Sequence, residues 1–279
     1  MPSFSHRAAT LLGVSIAVSL LGCATSAPAP IVVEANTTTR AIGYLDATAV
    51  PASISLVPAP PAPGSAALAL DEQVSREARA LRGSARFLQA TADAELGFPA
   101  GAGQFACAID LDVDARVTPA LYRLLERSRA DASAATRAAK KHHQRSRPFM
   151  VNGDPTCTPD DEDDLRRNGS YPSGHASIGW AWALILSEIV PARADAIIAR
   201  GRNYGESRLV CNVHWQSDII EGRLLGAAAV ARLHADPAFN RDLLAARREI
   251  AHAHAAGRHS ARDCTGEDAV LKVRPQSAL

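Results

Sequence analysis

Long apolar runs are scarce in this 279-residue chain. Past the first two dozen residues, no stretch approaches the roughly 18 uninterrupted apolar residues of a membrane-spanning helix, so none is expected to cross a bilayer. Aromatic residues make up only 5%, and strand-like alternation is rare, which argues against a β-sandwich or barrel. No charge of one sign dominates. The 30 Lys and Arg face 29 Asp and Glu, which excludes a generally basic nucleic-acid binder and an acidic disordered tail. Lysine is confined to Lys140, Lys141 and Lys272. There is no repeat of fixed period and no H-E-x-x-H zinc pair. A G-x-S-x-G elbow at Ser173 also fails, because Tyr171 stands where its first glycine belongs. What remains is a chain that is 47% hydrophobic, too apolar and too balanced in charge to be disordered. Its length suits one large domain or two small ones with a real core.

The chain opens with an address. Arg7 precedes the apolar run from Leu11 to Leu21, and a cationic start before a core of about ten apolar residues reads as a secretory signal. The run closes on Leu20-Leu21-Gly22-Cys23, which resembles a bacterial lipobox. Residues 1–22 are therefore expected to be a lipoprotein-type signal peptide, with Cys23 as the lipidated membrane anchor. Plain secretion, with cleavage after Ala24-Thr25-Ser26, is the alternative. The cysteine count of five is odd, and setting Cys23 aside leaves Cys107, Cys157, Cys211 and Cys264, an even set suited to an oxidising compartment. A periplasmic or other extracytoplasmic location is expected, lipid-anchored to the outer membrane if the lipobox is used.

From Ala24 to Ala66 the chain is rich in Pro and Ala. Taken alone, Pro58-Ala59-Pro60-Pro61-Ala62-Pro63 reads as an extended polyproline tether. Beyond it the pattern is helical. Val74, Ala78, Leu81, Ala85, Leu88 and Ala92 recur at steps of four and three, which predicts one continuous helix face. Thr118-Pro119 reads as an N-cap and first helical residue, opening a helix through Leu121, Leu124 and Leu125. Further helices are expected from Ser173 to Pro191, from about Pro191 through Ile197 and Ile198, from about Asp218 to Leu233, and from Asp236-Pro237 onward. The expected class is mostly α, a single-domain helical bundle.

Three motifs carry chemistry. In Lys140-x6-Arg147-Pro148, two cations seven residues apart would lie on nearly the same face of one helix, with Pro148 at its end. Such a pair can hold a multiply charged oxyanion, although alone it is more often a solvated basic face. His142 and His143, inside it, read as surface or supporting residues. In Gly169-Ser170-Tyr171-Pro172-Ser173-Gly174-His175, Ser173 is a good N-cap and Gly174 admits close approach of a ligand. A helix N-terminus there offers N–H groups to an anion, with His175 beside it. The plain alternative is a capped helix with a surface histidine. In Ser207-Arg208-x5-His214-x3-Asp218, a carboxylate four residues after a histidine on one helix face can fix its tautomer and leave the other ring nitrogen as a nucleophile. Arg208 adds a planar fork for phosphate oxygens.

In this order the three motifs resemble the signature of the type-2 phosphatidic acid phosphatase and vanadium haloperoxidase superfamily. The longer stretches Asn168 to His175, Ser177-Ile178-Gly179-Trp180 and His214-Trp215-Gln216-Ser217-Asp218 are similar to the bacterial class A nonspecific acid phosphatases. The similarity runs from about Gly43 to His254. It places Pro63-Gly64-Ser65 inside the family domain and shortens the tether. The organisation it implies is a signal over 1–22, a tether over 23–42, a catalytic domain over 43–258 and a C-terminal tail over 259–279.

The resemblance implies a metal-free, cofactor-free helical enzyme that hydrolyses phosphate monoesters through a phosphohistidine. His214 would be the nucleophile, Asp218 its support, and His175 the acid and then the base. Lys140, Arg147, Ser173, Gly174 and Arg208 would bind the phosphate. Opposite protonation states for the two histidines predict a bell-shaped pH profile in the acid range. The resemblance also implies the bridges Cys157–Cys211 and Cys107–Cys264, one of three pairings that four cysteines allow. The implied partners are small phosphorylated substrates and no nucleic acid; a homo-oligomer is as compatible as a monomer. A lipid-phosphate or pyrophosphate phosphatase of the same superfamily is disfavoured by the missing membrane spans. A vanadium-dependent haloperoxidase is disfavoured by the short chain. A phosphate-binding lipoprotein would need neither histidine. The acidic run Asp160-Asp161-Glu162-Asp163-Asp164 lacks metal-ligand spacing and reads as a surface loop, and Asn168-Gly169-Ser170 is a sequon not expected to be used. Trp180, Trp182 and Trp215 read as core or pocket wall.

Overall fold

A helix whose apolar residues run all the way round must be covered on every side, and the segment after Ser173 is of that kind. The computed structural model describes residues 42–279, together with Met1, and residues 42–279 fall in one compact unit. The signal 1–22, Cys23 and the tether up to residue 41 lie outside the described residues. The principal helices are α1 (Ala66–Arg79), α2 (Ala85–Ala92), α3 (Pro119–Ala134), α4 (Arg137–His143), α5 (Gly174–Ile189), α6 (Ala194–Val210), α7 (Gln216–Leu233), α8 (Pro237–Ala255) and α9 (Cys264–Leu271). Short helices such as Pro148–Asn152 and Glu162–Arg166 lie between them, and there is no strand among the described residues. The protein is an all-helical bundle.

The central helix is α5, packed against α3, α6, α7 and α8. Its Ile178, Trp182, Ile185 and Leu186 are buried with Phe105, Leu121, Leu124, Leu125, Tyr204 and Phe239. Each such side chain contributes about 1.5–3 kcal/mol on burial, whereas the Ser173 cap is worth about 1 kcal/mol. Burial therefore sets the position of α5, and the cap sets where it begins. Two glycines bring α7 onto the start of α5. A Cβ at Gly222 would stand 2.5 Å from the Ser173 carbonyl oxygen, and one at Gly226 would stand 2.4 Å from that of Ser177.

Three local expectations are corrected. The face from Val74 to Ala92 belongs to two helices, α1 and α2. The chain turns at Gly83, whose φ of +77° suits glycine, and Ser84 starts α2 by accepting from the Phe87 N–H. This leaves Leu88 exposed. Thr118 does precede the first residue of α3, but its hydroxyl serves the turn at Asp114. Glu249 of α8 caps α3 instead, accepting from the N–H groups of Ala120 and Leu121 at 3.0 and 2.9 Å. Finally, Lys140 and Arg147 do not share a helix. Gln144 adopts a left-handed conformation that ends α4, and Pro148 opens the next short helix with Arg147 as its N-cap residue.

The proline run is part of the domain. Val57 is buried among Ala135, Ala139, Tyr171, Leu225 and Ala229, and the Tyr171 hydroxyl donates to the Pro58 carbonyl at 2.9 Å. Two disulfides are present. Cys107–Cys264 fastens α9 to the segment before α3, and Cys157–Cys211 joins the 157 loop to the end of α6. Residues 259–279 lie against the domain through Arg274 on Glu206 and Ser277 on Glu77.

Candidate active site

His214 and Asp218 meet at the start of α7 and not along a helix face, because Trp215 is the N-cap residue and His214 precedes it. Asp218 turns back to accept the Trp215 N–H at 2.9 Å and the His214 Nδ1–H at 3.1 Å through the same oxygen, Oδ2. Its other oxygen accepts from Arg145 Nη1 at 2.7 Å. The opposite ring nitrogen of His214, Nε2, lies 3.2 Å from Arg147 Nη1. A guanidinium can only donate, so Nε2 holds the lone pair and Nδ1 the proton. Burial, then Arg147 and Lys140, hold the His214 imidazole well below its usual 6.5 and therefore neutral. Burial pushes the Asp218 carboxyl up, while Arg145 and the Trp215 N–H oppose that push.

Two cations reach this ring, Lys140 from α4 and Arg147 from the loop after it. Arg147 is clamped by backbone carbonyls: Nε donates to Leu165 and Asn168, and Nη1 to Val213 at 2.9 Å. Lys140 Nζ donates to the Gly169 and Ser170 carbonyls at 2.8 and 3.2 Å. Burial and the neighbouring Arg147 push Lys140 down to about 7. The glycine of the second motif is thus a fixed acceptor for the lysine of the first.

Ser173 begins α5, its hydroxyl oxygen accepting from the Ala176 N–H at 3.2 Å. Its own N–H donates to the Asp218 carbonyl at 2.9 Å, which joins the second and third motifs. Gly174 follows without crowding, since an added Cβ would stand in ordinary contact with Thr136 Oγ1 at 3.7 Å and Lys140 Cε at 3.9 Å. His175 Nε2 lies 2.9 Å from the Ala94 carbonyl and must donate to it. Burial, then Arg208, hold His175 well below 6.5. Arg208, in the last turn of α6, is buried and pushed down to about 10 by that burial. Its Nη1 reaches the Cys211 sulfur at 3.7 Å, and its Nε has no hydrogen-bond partner among the described residues.

One cleft of about 570 Å³ collects these groups. Lys140, Arg147, Gly174, His175, Arg208 and His214 line it, and no carboxylate does. Ser173 and Asp218 are fully buried behind them. Ser207 points away, its hydroxyl donating to Asp93 and accepting from Arg86. Of the tryptophans, Trp182 is core, Trp215 is buried with its Nε1–H on the Ser146 carbonyl, and Trp180 lies near Arg223; none lines the cleft. The acidic run forms a short turn and the helix Glu162–Arg166.

Sequence reasoning missed Arg145, Asp71 and the Ala94 carbonyl. Arg145 is one more cation in a basic run, and Asp71 one of several polar residues on α1. A backbone carbonyl leaves no trace in residue identity. Only the tertiary contacts single them out.

The sequence pattern of the PAP2 superfamily matches residues 128–242. The chain is 41% identical over 216 residues to the non-specific acid phosphatase of Providencia stuartii, covering 77% of this chain and 87% of that protein. It is 38% identical over 219 residues to the acid phosphatase of Zymomonas mobilis, covering 78% and 80%. It is also 38% identical over 195 residues to the non-specific acid phosphatase of Salmonella typhimurium, covering 70% and 78%. With the three motifs in one cleft and these similarities across most of its length, the chain belongs to the PAP2 superfamily, among the non-specific acid phosphatases.

Proposed function

We propose that this protein is an exported phosphatase that hydrolyses phosphate monoesters of broad specificity through a phosphohistidine on His214, without a metal ion. The observation that carries this reading is the His214 ring, its Nδ1–H held by Asp218 and its Nε2 lone pair, engaged by Arg147 at 3.2 Å, at the edge of a cleft lined by cations. Phosphoryl transfer needs chiefly alignment and stabilised charge on the equatorial oxygens. Lys140, Arg147 and Arg208, with the Gly174 N–H at the start of α5 and the Ser173 hydroxyl proton, supply that charge where other phosphatases use Mg²⁺.

In the first step Nε2 donates its pair to phosphorus and the ester P–O bond breaks. His175 gives a proton to the leaving oxygen. Its Nε2–H is committed to Ala94, so this duty falls to Nδ1. In the second step a water oxygen attacks phosphorus, His175 takes its proton, and the P–N bond breaks to release phosphate. Mildly acidic conditions suit Lys140 and both histidines, down to the pH at which Asp218 takes up a proton. Lys140 is fully cationic only below about 7, His214 stays neutral into the acid range, and His175 gains its proton most readily there. Export through residues 1–22, with anchoring at Cys23, fits the two disulfides, and fractionation of cells carrying Cys23→Ser tests the anchor.

The test is hydrolysis of a chromogenic phosphate monoester with EDTA present, by the wild type and by His214→Ala. Full wild-type activity and a loss on the order of 10⁴-fold or more in the variant are expected. Activity abolished by EDTA, or kept by the variant, overturns the mechanism.

A further inference from the structure

Behind the nucleophile lies a second, closed network in which Asp218 is the one residue that the three motifs specify by type. Arg145 bridges two buried carboxylates: Nη1 donates to Asp218 Oδ1 at 2.7 Å, and Nη2 to Asp71 Oδ2 at 2.7 Å. Ser217 closes the ring. Its hydroxyl accepts from Arg145 Nη1 at 2.8 Å and donates to Asp71 Oδ2 at 2.6 Å, while its N–H donates to Asp71 Oδ1 at 2.8 Å. The Arg145 guanidinium also lies 5.3 Å over the Trp215 ring. None of Arg145, Asp71 and Ser217 lines the cleft. Asp71 comes from α1, outside residues 128–242.

The chemistry of this arrangement is specific. A carboxylate orients an imidazole most firmly when it is ionised and its second oxygen is held elsewhere. Arg145 does both for Asp218, occupying Oδ1 so that Oδ2 faces His214. An unbalanced guanidinium so close would withdraw charge from Asp218 and weaken its grip on the His214 proton. Asp71 supplies the missing negative charge and, through the Ser217 N–H, fixes the first turn of α7, where Asp218 sits. We infer that Arg145 and Asp71 are positioning residues of the reaction, holding Asp218 ionised and aimed so that His214 presents its lone pair at Nε2. This rests on His214 being the nucleophile.

Several titratable groups face Asp218 from the elements around it: the cations Arg145 and Arg147 from the loop and Lys140 from α4, and the neutral His214 ahead of α7 and Tyr171 before α5. Of these, Arg145 alone is bonded to Oδ1. Losing it leaves burial to raise the Asp218 carboxyl with less opposition, so the acid limb of the rate profile moves to higher pH. Asp218 must be ionised, and proton uptake then begins sooner as the pH falls.

The experiment measures kcat, KM and the competitive inhibition constant of inorganic phosphate across pH for Arg145→Met, Arg145→Lys and Asp71→Asn, with circular dichroism as the check on folding. Arg145→Met is expected to lower kcat on the order of 10²-fold, the scale of a misplaced reacting group. Its acid limb should shift upward while phosphate inhibition changes less than threefold. Arg145→Lys should recover a large part of kcat and restore the limb. Asp71→Asn should lower kcat in the same sense. Unchanged kcat and limb in a folded Arg145→Met overturn the inference, as does a loss of phosphate binding that matches the loss of kcat. If Arg145→Met does not fold, Arg145→Lys and Asp71→Asn carry the test by the same readouts. Turnover retained by His214→Ala overturns the nucleophile assignment instead, so the two failures are distinct.

Discussion

The two walls of the cleft are held in opposite ways. On the His214 wall both ring nitrogens have partners, both oxygens of Asp218 accept hydrogen bonds, and Arg145 is itself balanced by Asp71. On the facing wall Arg208 is buried with its Nε unpartnered among the described residues, and His175 is tied at one nitrogen only, to Ala94. A buried donor without a partner costs about 1–3 kcal/mol, and more when charged. The first wall is therefore already held by the protein's own contacts. On the second, an anion bound beside Arg208 as proposed above would recover part of that cost.

The largest effect should come from breaking one wall at a time. Arg208→Met is expected to lower kcat/KM on the order of 10²–10³-fold and to weaken inhibition by inorganic phosphate, with Tm unchanged or raised. Asp218→Ala should instead destabilise the fold, by about 3–5 kcal/mol, because it strips a buried guanidinium of one counter-ion. Urea titrations of both variants check this contrast, and equal destabilisation would erase it. A smaller effect is expected at the seam between the walls. Gly222→Ala forces a methyl group against the Ser173 carbonyl, which should cost about 1–3 kcal/mol and raise KM through the displaced start of α5. A midpoint and KM equal to wild type would show that the seam yields freely.

The smallest effect concerns pH. Both histidines lie below 6.5 in the folded protein, so the unfolded chain takes up protons first as the pH falls through that value. Stability of the ligand-free protein should therefore decline from about pH 7 to pH 5, since the unfolded state binds more protons across that window. Lys140 contributes in the same direction at higher pH, between 10.5 and about 7. His175→Asn should flatten the decline between pH 7 and 5, read as denaturation midpoints. An unchanged slope would place the deficit elsewhere.

Much of this could be read from residue order alone. The helical class, the start of α5 at Ser173 and of α8 after Asp236, and six residues that line the cleft, Lys140, Arg147, Gly174, His175, Arg208 and His214, follow from caps, prolines and the three motifs. Local geometry was less legible. One continuous face from Val74 to Ala92 hid a turn that Gly83 and Ser84 impose, because steps of three and four persist across a break when its length keeps the phase. Lys140 with Arg147, and His214 with Asp218, are at helical spacings yet meet across a left-handed Gln144 and a helix cap. Spacing tells which residues can be near one another, and the backbone between them decides how.

The sequence by itself determined the family, the helical class and the identities of the groups that face the cleft, because these depend on residue types in a fixed order. Only the tertiary structure decided which nitrogen of each histidine is committed, that Arg208 lacks a partner at Nε among the described residues, and that Asp71 and Arg145 stand behind Asp218. The physical reason is that protonation and orientation are set by the partners of a group and by its distance from water. Asp71 and Arg145 are 74 residues apart in the chain, and neither carries a mark of its role until packing brings them together.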